Sequence, residues 1–131
     1  MAVPKTLIGI FLDAVDTRRR PDQFMRKTEH GWEAISAERA LADVEALALA
    51  LAELGVTRGD RVALLAENRY EWVLTDLAVL GLGAITVPIY PTLTAHQVRG
   101  LLENSEPRLI VVSTAAQFEK ARAASEGLSC I

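Results

Sequence analysis

What this sequence lacks does much to bound it. It has a single cysteine, Cys130, so no internal disulfide framework exists, and the expectation is a reducing, cytoplasmic setting. It has no basic excess. A net charge of −3 argues against nucleic acid as a partner, because that binding rests on neutralising phosphates. It has no apolar run long enough to span a bilayer: the patch at Leu7–Leu12 is interrupted by Gly9 and closed by Asp13, and no signal peptide is read there. Its two histidines, His30 and His96, have no nearby ligating or catalytic partner in the sequence, so a loop position and a helix first turn account for them. Aromatics are sparse at 5%, and no internal repeat or low-complexity tract occurs.

What is present is apolar and regularly punctuated. Hydrophobic residues make up 50% of 131 positions, enough for one domain with a proper core. Arg61–Ala66 has too few polar residues for a half-exposed strand and suits one covered on both faces. Asn68 can cap the helix that follows, with Glu71 in its first turn. Val73, Leu74, Leu77, Ala78 and Leu80 leave almost no polar face, so this helix should be largely enclosed. Gly81 and Gly83 can end it, and Ala84–Tyr90 resumes a buried strand. Strand, helix and strand with short links make a βαβ unit with parallel strands.

Before this unit, Leu7, Ile8, Phe11, Leu12 and Val15 predict an amphipathic helix that docks on its own domain, with a membrane-surface anchor as the alternative. Arg18, Arg19 and Arg20 read as a solvated run at its end. Phe24–Thr28 and Trp32–Ile35 flank Glu29-His30-Gly31 as a hairpin. Ser36 starts a helix whose stripe is Leu41, Val44, Leu47, Ala48, Leu51 and Leu54, stopped by Gly55.

After it, Thr94-Ala95-His96-Gln97 fits a capping box, and Thr114-Ala115-Ala116-Gln117 repeats the pattern. Gly100 inside the first of these helices hints at a close contact. Leu109–Val112 is a third buried strand, Ala115, Phe118 and Ala121 should face inward on the last helix, and Leu128–Ile131 looks like the start of a fourth strand. The expected fold is α/β, an incomplete three-layer domain with a parallel βαβαβα core preceded by a helix, a β-hairpin and a helix. A strand start with nothing to close onto suggests the front part of a larger molecule, or a missing layer supplied by a partner or by self-association.

Chemistry-bearing motifs are few. Gly81-Leu82-Gly83 is no phosphate loop, Ser113-Thr114 is a helix start rather than a nucleophile elbow, and no His, Cys and carboxylate set suits a metal. Ligands of open α/β sheets bind at the carboxyl ends of the strands, here Glu67–Arg69, Tyr90–Thr94 and Ser113–Thr114. Helix capping explains Asn68, Thr94 and Thr114; it explains Tyr90-Pro91-Thr92 less well.

An ordered set of segments resembles the AMP-forming acyl-CoA synthetases of the adenylate-forming ligase superfamily. They are Gly59-Asp60-Arg61-Val62-Ala63, Glu67-Asn68-Arg69-Tyr70-Glu71-Trp72, Asp76-Leu77-Ala78, Gly83-Ala84-Ile85 and Val87-Pro88-Ile89-Tyr90-Pro91-Thr92-Leu93. Gln97 and Asn104-Ser105-Glu106 before Leu109-Ile110-Val111-Val112-Ser113 complete the set. Within the superfamily, Asn68–Trp72 and Ile89–Leu93 look most like the long-chain fatty acid branch.

The resemblance implies an enzyme using fatty acid, ATP with Mg²⁺, and coenzyme A (CoA), for which peripheral membrane contact is also open. In that family a Ser/Thr/Gly-rich loop, a Lys, a metal-binding Glu, a ribose-binding Asp and a Lys on a mobile C-terminal domain do the chemistry. None of these motifs is in the present sequence. Residues 1–131 therefore resemble the first part of the large N-terminal domain, with 1–56 as helix, hairpin and helix and 57–131 as βα units, expected to be inactive alone. By position, Tyr90, Pro91 and Thr92 resemble a segment near the CoA route, and Lys120 and Arg122 resemble cations for its nucleotide end; solvated surface cations are the plainer reading of the last two. The alternative to a ligase fragment is a stand-alone flavodoxin-like α/β binding or interaction module.

Overall fold

The computed structural model describes residues 5–130. Helix α1 (Leu7–Arg18) leads to a hairpin, β1 (Phe24–Thr28) and β2 (Gly31–Ile35), and then to α2 (Ala37–Glu53). Three βα units follow: β3 (Arg61–Leu65), α3 (Tyr70–Gly81), β4 (Ile85–Ile89), α4 (Ala95–Ser105), β5 (Leu109–Val112) and α5 (Ala115–Ala124). The sheet is parallel with order β4-β3-β5, so the chain steps to one side of β3 and then crosses back to the other. The expected α/β architecture is the one observed.

Alternation along the strands sends their side chains into two cores. Val62 and Leu109 join Phe11, Val15, Val44, Leu51, Leu74, Ala78 and Val79 beneath α1, α2 and α3. Ala63, Leu65 and Ile89 join Val98, Leu102, Ala121 and Ala124 beneath α4 and α5. β3 is buried on both faces, as its composition predicts. β4 and β5 are edge strands instead: Ile85 is 51% exposed, and Pro88, which cannot donate to a ladder, sits where an edge tolerates it. Helix α3 packs against both α1 and α2, so its enclosure comes from within the chain.

Several local expectations change. The N-cap of α3 is Arg69, with no side-chain cap bond, because the first turn is set at Tyr70. That residue is held by ring contact with Phe24 at 5.6 Å and by its hydroxyl donating to Asp43. Gly31 opens β2, leaving Glu29-His30 as the hairpin link. Leu7 and Leu12 of α1 and Leu54 after α2 are exposed, while Ala37 and Ala40 are fully buried where α2 meets its neighbours. On α5 the inward face is Gln117, Ala121 and Ala124; Phe118 is 53% exposed and Ala115 is also outside. Among the described residues a Cβ on Gly100 would meet nothing within 4 Å, so no close contact among them explains that glycine. Leu128 and Ser129 form a bend and Cys130 is irregular, so no strand starts there; Leu128 packs on the second core, and Ile131 lies outside the described residues.

Candidate functional site at the carboxyl ends of the strands

The strand order reverses between β3 and β5, the switch point at which open α/β sheets form a ligand crevice. Three exits meet there. Glu67 follows β3, Tyr90-Pro91-Thr92 follows β4, and Ser113-Thr114 follows β5. Pro91 suits the second position of a tight turn, and the turn is closed by the Leu93 amide donating to the Tyr90 carbonyl at 3.2 Å.

The exits are cross-linked by side chains. Ser113 Oγ donates to Glu67 Oε2, and Gln117 Nε2 donates to Glu67 Oε1 at 3.0 Å. Gln117 Nε2 also donates to the Pro91 carbonyl at 3.2 Å, and Lys120 Nζ reaches the same oxygen at 2.6 Å. The Ser113 hydroxyl, then the Glu67 backbone amide and Gln117, hold the Glu67 carboxyl below its ordinary value. A carboxylate so stabilised is a poor base, so Ser113 is not activated as a nucleophile by it. Arg69 pairs with Glu71 at 2.8 Å beside this network.

Of the residues singled out in the sequence, Pro91 and Lys120 touch. Tyr90, at 77% exposed, and Thr92 flank them on the solvent side of the turn. Arg122 does not join them: it forms an exposed pair with Glu119 at 2.7 Å. Asn68, with no cap to make, lines a groove of about 540 Å³ with Trp72, Pro88, Ile89, Tyr90 and Pro91. A second cleft of about 850 Å³ lies between the hairpin, at Met25 and Trp32, and Asn68–Glu71. Glu67 lies at a strand end that the sequence marks, whereas Gln117 is the member that sequence reasoning takes for a cap alone. The Thr114–Gln117 spacing pointed to a cap, and it gave no sign that the glutamine amide turns outward from it.

A Mg²⁺ site is not formed by these residues. Glu67 is the carboxylate at the centre of the rim and both its oxygens are engaged, and no group of three metal-ligating side chains exists among the described residues. A triphosphate cradle is likewise not built here: the Lys120 ammonium already serves the Pro91 carbonyl, and no glycine-rich loop precedes α3, α4 or α5. The rim can hold a turn rigidly and present amide, hydroxyl and aromatic groups beside it. No described helix is long and apolar enough to cross a membrane.

Residues 14–130 match the family described as AMP-binding enzyme. The chain is 41% identical over 91 residues to the long-chain-fatty-acid–CoA ligase FadD15 of Mycobacterium bovis, a match that covers 70% of this chain and 15% of that protein. It is 32% identical over 81 residues to fatty acyl-CoA synthetase A of Dictyostelium discoideum, covering 62% and 12%. Among solved structures, a putative long-chain-fatty-acid CoA ligase from Rhodopseudomonas palustris superposes with a TM-score of 0.80 at 26% identity, over 94% of this chain and 30% of that one. The anthranilate CoA ligase AuaEII, in complex with anthranoyl-AMP, gives 0.83 at 20% identity over 99% and 24%, a likeness of fold. The chain thus spans about one seventh of the length of FadD15.

Proposed function

The chain belongs to the AMP-binding enzyme family, and we propose that it is the first part of a long-chain fatty acid–CoA ligase. The observation that carries this reading is the 41% identity with FadD15 across 91 residues. In the proposed reaction a fatty acid carboxylate oxygen attacks the α-phosphate of ATP, releasing pyrophosphate and leaving an acyl-adenylate. The CoA thiol then attacks the acyl carbon, giving acyl-CoA, AMP and a proton. Both steps need dense positive charge and oriented donors around phosphate and a developing oxyanion.

The residues of this chain do not supply that charge. Their part is to shape and stiffen the rim. The Tyr90-Pro91-Thr92 turn, with Lys120 behind it and Arg122 on the outer face of the same helix, is proposed to border the path of CoA. ATP, Mg²⁺ and the adenylate are then held by residues beyond the present 131, and the chain is inactive by itself in the cytoplasm. Exposed apolar side chains, among them Met25, Trp32, Tyr90 and Phe118, are proposed to drive self-association of the isolated chain, and sedimentation as a compact monomer would count against that.

One observation favours the stand-alone module as a second reading: the chain covers both faces of its own sheet with its own helices. Substrate-dependent ATP–pyrophosphate exchange separates the two. The longest translation product containing these residues should exchange with long-chain fatty acids and much less with benzoate. Exchange with neither would leave the binding-module reading.

A further inference from the structure

The two Thr-x-x-Gln boxes of this chain are used differently. At Thr94 the box closes on itself: Gln97 Oε1 accepts from the Thr94 amide at 3.0 Å, while the Thr94 hydroxyl accepts from the Gln97 amide at 3.3 Å. At Thr114 only the second half is made. Gln117 sends its amide away from its own helix, to Glu67 Oε1 and to the Pro91 carbonyl. Both hydrogens of Nε2 are then committed to acceptors, so the amide cannot be turned round without facing oxygen with oxygen. Its Oε1 is left buried without a partner among the described residues, on a residue only 7% exposed. A buried acceptor without a donor is rare in folded proteins, and here it accompanies a bridge between the ends of β3 and β4.

We propose that Gln117 is a positioning residue, which with Lys120 fixes the Tyr90-Pro91-Thr92 turn against the end of β3 and so sets how that turn meets its ligand. The ligand class, CoA, rests on the ligase reading given above; the positioning does not. Gln117 supplies a neutral donor to Pro91 and Lys120 a charged one, on the same carbonyl and one helical turn apart. Through Glu67 the bridge extends to Ser113, so all three strand exits move as one body.

Amide hydrogen exchange tests the positioning in the 131-residue chain, through the Leu93 amide that closes the turn. Gln117→Leu should speed exchange at Leu93 about tenfold or more, and Lys120→Met should do so to a lesser degree. Val62–Leu65 amides in β3 should keep their protection. Leu93 exchange equal to wild type, or rising only in step with β3, overturns the proposal. In the longest product, Gln117→Leu should raise KM for CoA about tenfold with a smaller change in kcat, and Lys120→Arg should keep most of the affinity that Lys120→Met loses. An unchanged KM for CoA in an active enzyme refutes the link to the ligand. A wild-type product that performs no fatty-acid-dependent exchange refutes the ligase reading instead, and the Leu93 measurement still decides what Gln117 does.

Discussion

The Tyr70 hydroxyl donates to Asp43 Oδ2 at 3.0 Å and so joins the first turn of α3 to the middle of α2. The same ring meets Phe24, which draws the hairpin onto both helices. Burial, then the bond to Asp43, pushes the Tyr70 phenol up to about 12. A raised tyrosine stabilises the fold in its protonated form. That stability is fully present below the ordinary value near 10 and is lost as pH rises through about 12. Absorbance titration of tyrosinate should show one late-ionising tyrosine, absent in Tyr70→Phe. That variant should lose about 1 kcal/mol in urea unfolding, since Asp43 keeps its bonds to Arg39.

Two glycines should respond in opposite directions to the same change. Gly55 holds φ +91°, and a Cβ there would lie 2.6 Å from the Arg108 guanidinium. Gly55→Ala is expected to cost about 1–2 kcal/mol from the left-handed backbone alone. Gly100 sits inside α4 facing open space, so Gly100→Ala should stabilise by about 0.5–1 kcal/mol. Denaturant midpoints measured side by side check both signs.

Glu67 supplies an acid-side prediction. Its depressed carboxyl contributes stability above the ordinary carboxylate range, and that contribution disappears as pH falls through the lower folded value. Thermal midpoints should therefore decline on acidification more steeply in the wild type than in Glu67→Gln. Parallel curves for the two would show that the network does not stabilise the charged form.

Capping makes a third contrast. Thr94→Ala removes a closed capping box and should cost about 1 kcal/mol. Asn68→Ala should change stability by less than about 0.5 kcal/mol, because Asn68 caps nothing. Equal losses in urea unfolding would restore Asn68 as the cap.

Much of this fold was legible because local and global signals agree. Arg61–Ala66 reads as a doubly covered strand, and Arg61–Leu65 is one; Ser36 and Thr94 read as caps and make the bonds. Legibility fails where alanine is spread round a helix. On α5 the lone aromatic, Phe118, attracts an inward assignment, yet Ala121 and Ala124 pack closer to the sheet than a phenylalanine ring allows. Ala37 and Ala40 were missed for the same reason: at a close helix crossing the smallest side chain is the buried one. The candidate site was legible as a place, the carboxyl rim, since topology dictates it. It was not legible as a network, because Gln97 and Gln117 occupy identical local patterns and only the tertiary fold brings Glu67 and Pro91 within reach of one of them.

On the proposed reading these 131 residues are a non-catalytic share of a fatty acid–CoA ligase. Its most direct test is fatty-acid-dependent ATP–pyrophosphate exchange, run on the 131-residue chain alone and on the longest product that contains it. Exchange is expected from the longer product and none from the chain alone. Exchange by the 131 residues themselves, or its absence from an intact and folded longer product, would contradict it.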